Sequence, residues 1–292
     1  KKLHDMSEQQ LYDDAHIRLE QVIKSGTGAI EIKSGYGLNI EDEMKMLRVI
    51  RVLKQLSPIP IKSTFLGAHA IPEEFKNNKA AYMYLVCNEM LPRIAGENLA
   101  DFIDIFCETG YFDLDDLKQI IEAGDKFGIK AKVHVNQFSS FGAVKLACSH
   151  GALSVDHLEV MNEEDYTALE KSNTLATALP LCSLFLDIPY TPAKELIKRN
   201  IPLVIASDFN PGSAPSSNLN LAFALACSQM KLTPEETFNA LTYNAAFAMN
   251  VQDEVGSIQI GKKANLIITK PANGLEDVPY WFGENMINSV IV

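Results

Sequence analysis

The sequence is short of the features that mark several common protein classes. Its five cysteines (Cys87, Cys107, Cys148, Cys182 and Cys227) are odd in number and include no Cys-x-x-Cys pair. That argues against a disulfide scaffold or a zinc ribbon and reads as reduced, mostly core thiols. Positive charge is in deficit, 26 Lys and Arg against 37 Asp and Glu, giving a net charge of −11. A nucleic-acid binder normally shows a basic stripe, so no nucleic-acid partner is expected. No stretch reaches the roughly 18 apolar residues that cross a bilayer, so no membrane partner is expected either. The polar opening "KKLHDMSEQQ" is no signal peptide, and a cytoplasmic location is the expectation. That opening also lacks Met and enters a helix directly, which reads as a fragment of a longer protein. No G-x-G-x-x-G follows the first strand, against a Rossmann fold, and no G-x-S-x-G elbow occurs, against a serine hydrolase.

What is present is an ordinary globular composition, 47% hydrophobic and 22% charged, over 292 residues. This suffices for one large α/β domain with a small appendage. Apolar strands and helical patterns alternate. Helices are expected from Ser7 to Lys24 with Ser7 as N-cap, Glu41 to Gln55, Ala80 to Ile94, Leu114 to Phe127, Gly142 to Ser149 and Asn162 to Lys171. Further ones are expected near Ala193 to Arg199, Leu219 to Gln229 and Pro234 to Met249. Between them lie the strands "AIEIKSG", "IPIKSTFLGAH", "DFIDIFCE", "IKAKVHVNQ", "ALSVDHLE", "TLATALP" and "PLVIASD". Regular βα alternation implies a parallel sheet, and this many units suits a (β/α)8 TIM barrel better than an open sheet. After Met249 the texture changes. "VGSIQIGKKANLIITK" alternates apolar and polar residues around Gly-Lys-Lys, as in a small antiparallel unit. The expected division is therefore a barrel over residues 1–249 and a small β appendage over 250–292.

The strand ends carry the chemistry. "IPLVIASDFNPGS" is a continuous apolar run, fit for a strand covered on both faces, that stops at Asp208 and a turn. A carboxylate at such a place needs a partner: a structural cation, a helix N-terminus or a metal ion. In barrel enzymes the active site forms at the C-terminal ends of the strands. Three of the six histidines, His69, His134 and His157, fall at those ends, and His4, His16 and His150 do not. A single histidine there reads as a hydrogen-bonded core imidazole; three together with Asp208 point to a functional site. Imidazole nitrogen and carboxylate oxygen suit Zn²⁺ or iron, and a catalytic ion activates water and polarises a carbonyl. The "NPGS" turn could hold a carboxylate or a phosphate, or serve only as a turn.

"EIKSGYGL", "TFLGAHAIP", "FIDIFCETGYF", "KVHVNQFSSFGAV", "SVDHLE" and "ASDFNPGS", in that order, closely resemble the imidazolonepropionase family of the amidohydrolase superfamily. The resemblance runs over nearly the whole chain. It implies a barrel of which strands two to eight are represented here, with the C-terminal part of a small β-sandwich. It implies hydrolysis of the ring amide of 4-imidazolone-5-propanoate to N-formimidoyl-L-glutamate in histidine degradation, with one Zn²⁺ or Fe²⁺/Fe³⁺ per complete subunit. His134 and Asp208 would hold the metal; Asp208, His157 and Gln137 would be catalytic. Tyr36, His69, Gln137, Asn210, Gly212 and Ser213 would bind the substrate. Glu108 and Glu159 would be orienting or structural carboxylates. The family's first strand carries a His-x-His pair that completes the metal site, and no His-x-His occurs in this sequence. Open strand edges would favour a homodimer. The alternatives are another amidohydrolase acting on a cyclic amide or amidine, and a non-catalytic truncated barrel.

Overall fold

The computed structural model describes residues 2–292. Seven strands form one parallel sheet in sequence order: β1 (Ile30–Lys33), β2 (Ile61–Ala68), β3 (Phe102–Cys107), β4 (Lys130–Val135), β5 (Ser154–His157), β6 (Leu175–Ala178) and β7 (Leu203–Ile205). Each step between neighbours is a right-sized crossover with helix in it. Strands β3 to β5 are buried almost throughout, as their unbroken apolar texture requires.

The sheet is rolled, and one contact proves it. Lys33 Nζ on β1 lies 3.2 Å from Asp156 Oδ2 on β5. In a flat sheet strands four places apart would stand about 19 Å from each other, at roughly 4.8 Å per step, beyond the reach of these side chains. The seven strands therefore curl as the wall of a TIM barrel, with β1 and β7 not bonded to one another. The outer helices cover it through a single apolar cluster from Leu19 to Ala240.

The helices start where the sequence says they should. Ser7 caps Glu8–Lys24 in a capping box with Gln10, and Asn39, Asp113, Asn162 and Thr233 cap later helices. Two expected helices are divided. Ala80 to Ile94 becomes Lys79–Leu85, a π-helical turn Val86–Met90, and Leu91–Gly96, where Pro92 lacks the donor that would continue the ladder. Pro234 to Met249 breaks at Thr242, whose φ of −121° and ψ of −79° leave the helical region.

The C-terminal unit is antiparallel, but its pairing differs from expectation. Leu266–Thr269 (β8) pairs with Ile287–Ile291 (β9), not with the segment before Gly261. Ile258 and Ile260 stand fully out in solvent and make no strand. Alternation alone does not choose a partner, and here the chain 20 residues downstream competes better than the local turn.

Candidate active site at the strand ends

Two buried carboxylates shape the rim loops. Glu43 accepts from the amides of Gly35 (3.0 Å), Gly37 (2.7 Å) and Leu38 (3.0 Å), which folds the "SGYGL" loop around one side chain. Gly37 is obligatory there, because a Cβ would sit 2.5 Å from the backbone nitrogen of Glu43. Ser34 is a turn residue, its hydroxyl accepting from Leu66 N. Glu108 plays the same part after β4, accepting from the amides of Phe138 (2.9 Å) and Ser139 (3.3 Å).

The imidazoles converge above this frame. The rings of His134 and His157 are 5.1 Å apart, and His134 is 6.4 Å from Phe106, itself 6.3 Å from His69. Tyr36 meets His69 edge-on at 5.4 Å. The charge of Asp208 acts on Tyr36, His69 and His157 alike. Gln137 is buried beside them, its Nε2 donating to Cys182 Sγ at 3.4 Å. Backbone conformation marks the same spots: Asn136, His157, Leu158 and Asp208 all have positive φ, from 53° to 88°. Left-handed backbone in residues with a Cβ is strained, and such strain collects at functional sites.

The histidines differ electrostatically. Burial alone would keep His157 neutral, but hydrogen bonds with Cys182 and Glu159 and the charges of Glu159 and Asp208 raise its pKa well above the ordinary imidazole value. For His69 burial and the neighbouring His134 win, and its pKa falls. One ring is thus set to donate a proton and the other to stay neutral.

Asn210, Gly212 and Ser213 form a closed turn. Asn210 Oδ1 accepts from the amides of Gly212 and Ser213, both at 2.8 Å, and the Ser213 hydroxyl donates to Asp208 Oδ2 at 3.1 Å. The turn orients Asp208, and its own donors are engaged within it.

Sequence reasoning missed an ionic network in the barrel interior. Lys33 Nζ lies 2.8 Å from Asp104, 3.2 Å from Asp156 and 3.3 Å from Glu31, and Lys132 Nζ lies 2.7 Å from Glu31. Asp104 Oδ2 is also 2.8 Å from His134 Nδ1, although that nitrogen is out of line for a hydrogen bond. The signal was available: in "IEIK", "FIDI", "KAKVHV" and "SVDH" the charged residues fall on alternate positions, hence on one face of each strand.

That network bears on a metal. Three carboxylates face two ammonium groups, so the interior beneath His134 carries one surplus negative charge. A cation at His134 would balance it, and His134 Nδ1, buried and without a hydrogen bond among the described residues, leaves an imidazole available as a ligand. The nitrogen and oxygen donors fit Zn²⁺ or iron. Asp104 and Asp156 are committed to Lys33, so they support the site rather than enclose an ion.

Comparison with known proteins agrees with this architecture. The family model described as "Amidohydrolase family" matches residues 1–292. An imidazolonepropionase from Flavobacterium johnsoniae is 54% identical over 292 residues, covering 100% of this chain and 71% of that protein. Another from Caldanaerobacter subterraneus subsp. tengcongensis is 42% identical over 98% of this chain and 69% of its own length. Among solved structures, an adenosine deaminase from Xanthomonas campestris with bound zinc superposes with a TM-score of 0.75 at 14% identity, over 100% of this chain and 70% of that one. A guanine deaminase from C. acetobutylicum with bound guanine gives 0.72 at 14%, over 97% and 74%.

Proposed function

Because this chain belongs to the amidohydrolase family and matches imidazolonepropionases along its whole length, we infer that the strand-end cluster serves their hydrolysis. The protein is a metal-dependent hydrolase of carbon–nitrogen bonds in cyclic amides, acting on the ring amide of 4-imidazolone-5-propanoate to give N-formimidoyl-L-glutamate in histidine degradation. The observation that carries the assignment of roles is the meeting of His69, His134, His157 and Asp208 at one rim of a rolled parallel sheet.

His134 and Asp208 are the groups this chain offers to a divalent ion, Zn²⁺ or iron. Bound there, the ion supplies Lewis-acid polarisation of the ring carbonyl and a lowered pKa for water. Catalytic zinc usually has three protein ligands, so these two call for a further donor. Asp208 takes the proton from the attacking water. As oxygen adds to the carbonyl carbon, the ring C–N bond breaks and the departing nitrogen needs a proton. His157, held in its charged form by Glu159, Cys182 and Asp208, is suited to give it. Gln137 lies beside the ring and orients it. Tyr36 and His69 contact the substrate from the opposite side, with His69 neutral and able to accept a hydrogen bond. The propionate binds at Asn210, Gly212 and Ser213 by exchanging the Asn210 carbonyl on their amides for its own oxygens.

Residues 1–249 form the catalytic barrel in this reading and 250–292 a part of the accessory β-sandwich. No helix of the described residues is long and apolar enough to cross a membrane, and the five cysteines are free, which supports a reducing, cytoplasmic setting.

The direct test is turnover of 4-imidazolone-5-propanoate by Asp208→Asn. Loss of a base that is also a ligand should lower kcat by at least about 10³-fold. A rate near that of the unsubstituted protein would remove Asp208 from the mechanism.

A further inference from the structure

Behind the histidine pair lies a second group of donors that the hydrolysis does not fully use. His157, Glu159 and Cys182 are all buried, and one ligand atom from each lies within 4.8 Å of the others. Their mutual contacts are long for a finished hydrogen-bond triad. His157 Nδ1 is 3.4 Å from Glu159 Oε1, and the Ser183 hydroxyl is also 3.4 Å from that oxygen. Among the described residues Glu159 Oε2 has no hydrogen-bond partner, on a side chain with no solvent exposure. An unpaired carboxylate oxygen in such a place is costly and calls for a cation or a donor.

The spacing suits a metal ion. Zinc bonds of about 2.0–2.3 Å in tetrahedral geometry put neighbouring ligand atoms roughly 3.3–3.8 Å apart. The His157–Glu159 separation of 3.4 Å already falls there. Nitrogen, oxygen and sulfur together match a borderline-soft ion, and a thiolate plus a carboxylate neutralise its two charges.

We propose that His157, Glu159 and Cys182 form a second divalent-cation site, selective for thiophilic ions such as Zn²⁺ and Cd²⁺, whose occupation inhibits the enzyme. On binding, the Cys182 thiol and the His157 Nδ1–H release their protons to solvent, and Glu159 enters as the carboxylate. The proton left on Nε2 then belongs to a metal-bound imidazole, a much weaker acid than the imidazolium that would protonate the leaving nitrogen. The inhibitory arm rests on the proposed role of His157; the binding arm does not.

The test is titration of the 292-residue protein with Cd²⁺, following the ultraviolet thiolate-to-cadmium absorption. An ion at His134 and Asp208 has no sulfur ligand and gives no such band. One equivalent should produce the band in the unsubstituted protein and in Cys107→Ser, and Cys182→Ser should lose it. Glu159→Gln, which keeps the side chain's size, should weaken binding at least tenfold. No thiolate band in the unsubstituted protein, or one that survives in Cys182→Ser, overturns the proposal, as does Glu159→Gln binding with unchanged affinity. Inhibition is read separately, as loss of turnover that tracks the band. A band without inhibition would refute the inhibitory arm and His157's assigned role while the site itself stands.

Discussion

Replacing Lys33 by Met and, separately, Asp104 by Asn should cost unequal amounts, and the inequality tests the charge count inside the barrel. Lys33 contacts three carboxylates, Asp104 at 2.8 Å, Asp156 at 3.2 Å and Glu31 at 3.3 Å. At an effective dielectric of 20 each attraction is gross about 4 kcal/mol or more, most of it offset by the desolvation of buried ions. What survives is the cost of orphaning. Lys33→Met leaves Lys132 alone against three acids, and Asp104 and Asp156 lose their only ammonium partner within 4.0 Å among the described residues. Breaking a buried pair this way costs about 3–5 kcal/mol. Asp104→Asn instead balances the network, since Lys33 keeps Asp156 and Glu31. Its cost is one charge-assisted hydrogen bond, about 1.5–3 kcal/mol. The assay is urea denaturation at several pH values. Burial raises both carboxyls; in the parent His134 and Lys33 hold Asp104 low, and Lys33, Lys132 and His134 hold Asp156 low, so removing Lys33 is expected to raise both in the folded state. A carboxyl with a raised folded pKa destabilises above that pKa, and the penalty lifts as pH falls through it. The deficit of Lys33→Met should therefore shrink from pH 8 to pH 5. Equal costs for the two variants, or a deficit that does not move with pH, would refute the reasoning.

Other consequences are open to simpler checks. Gly37→Ala drives a Cβ to 2.5 Å from the Glu43 backbone nitrogen, so the Tyr36 loop must shift. A loss of about 1–3 kcal/mol and a raised KM are expected, and unchanged values of both would count against the loop's role. Asp42 caps its helix region through Asn39, Lys45 and His4, and although burial works the other way its pKa falls to about 2. Its stabilisation, about 1 kcal/mol after allowance for solvent screening, is full above about pH 4 and lost as pH drops toward 2. Asp42→Asn should thus differ from the parent more at pH 5 than at pH 3 in denaturant titrations. Dialysis against a chelator should abolish hydrolysis, with recovery on adding one equivalent of Zn²⁺ or Fe²⁺; full activity in metal-free protein would contradict the metal dependence.

Which residues line the rim was legible because strand ends are readable. "KVHV" and "VIASD" each end an apolar run, and barrel geometry sends such ends to one rim. Asp208 and Gln137 are placed by that logic alone. The loop logic was harder. Glu43 and Glu108 read as an ordinary helix residue and a strand-end acid, and only the fold shows them gathering backbone amides. Cys182 was read as core, correctly by burial, yet it lies against His157 and Gln137. In the C-terminal unit the alternating pattern was right about strand for Leu266–Thr269, wrong for the stretch around Ile258 and Ile260, and wrong about partner. Local pattern carries side-chain direction, while pairing is a competition between distant segments.

By itself, then, the sequence determined the order of the seven sheet strands and most of the helices between them, and which residues lie at the C-terminal end of each strand, because these depend on spacing over a few residues. Tertiary structure decided what those residues meet. Rolling the sheet brings Lys33 from the first strand to Asp156 on the fifth and sets His134 over a surplus of negative charge. Such meetings depend on curvature summed over the whole sheet, and no local stretch of sequence contains it.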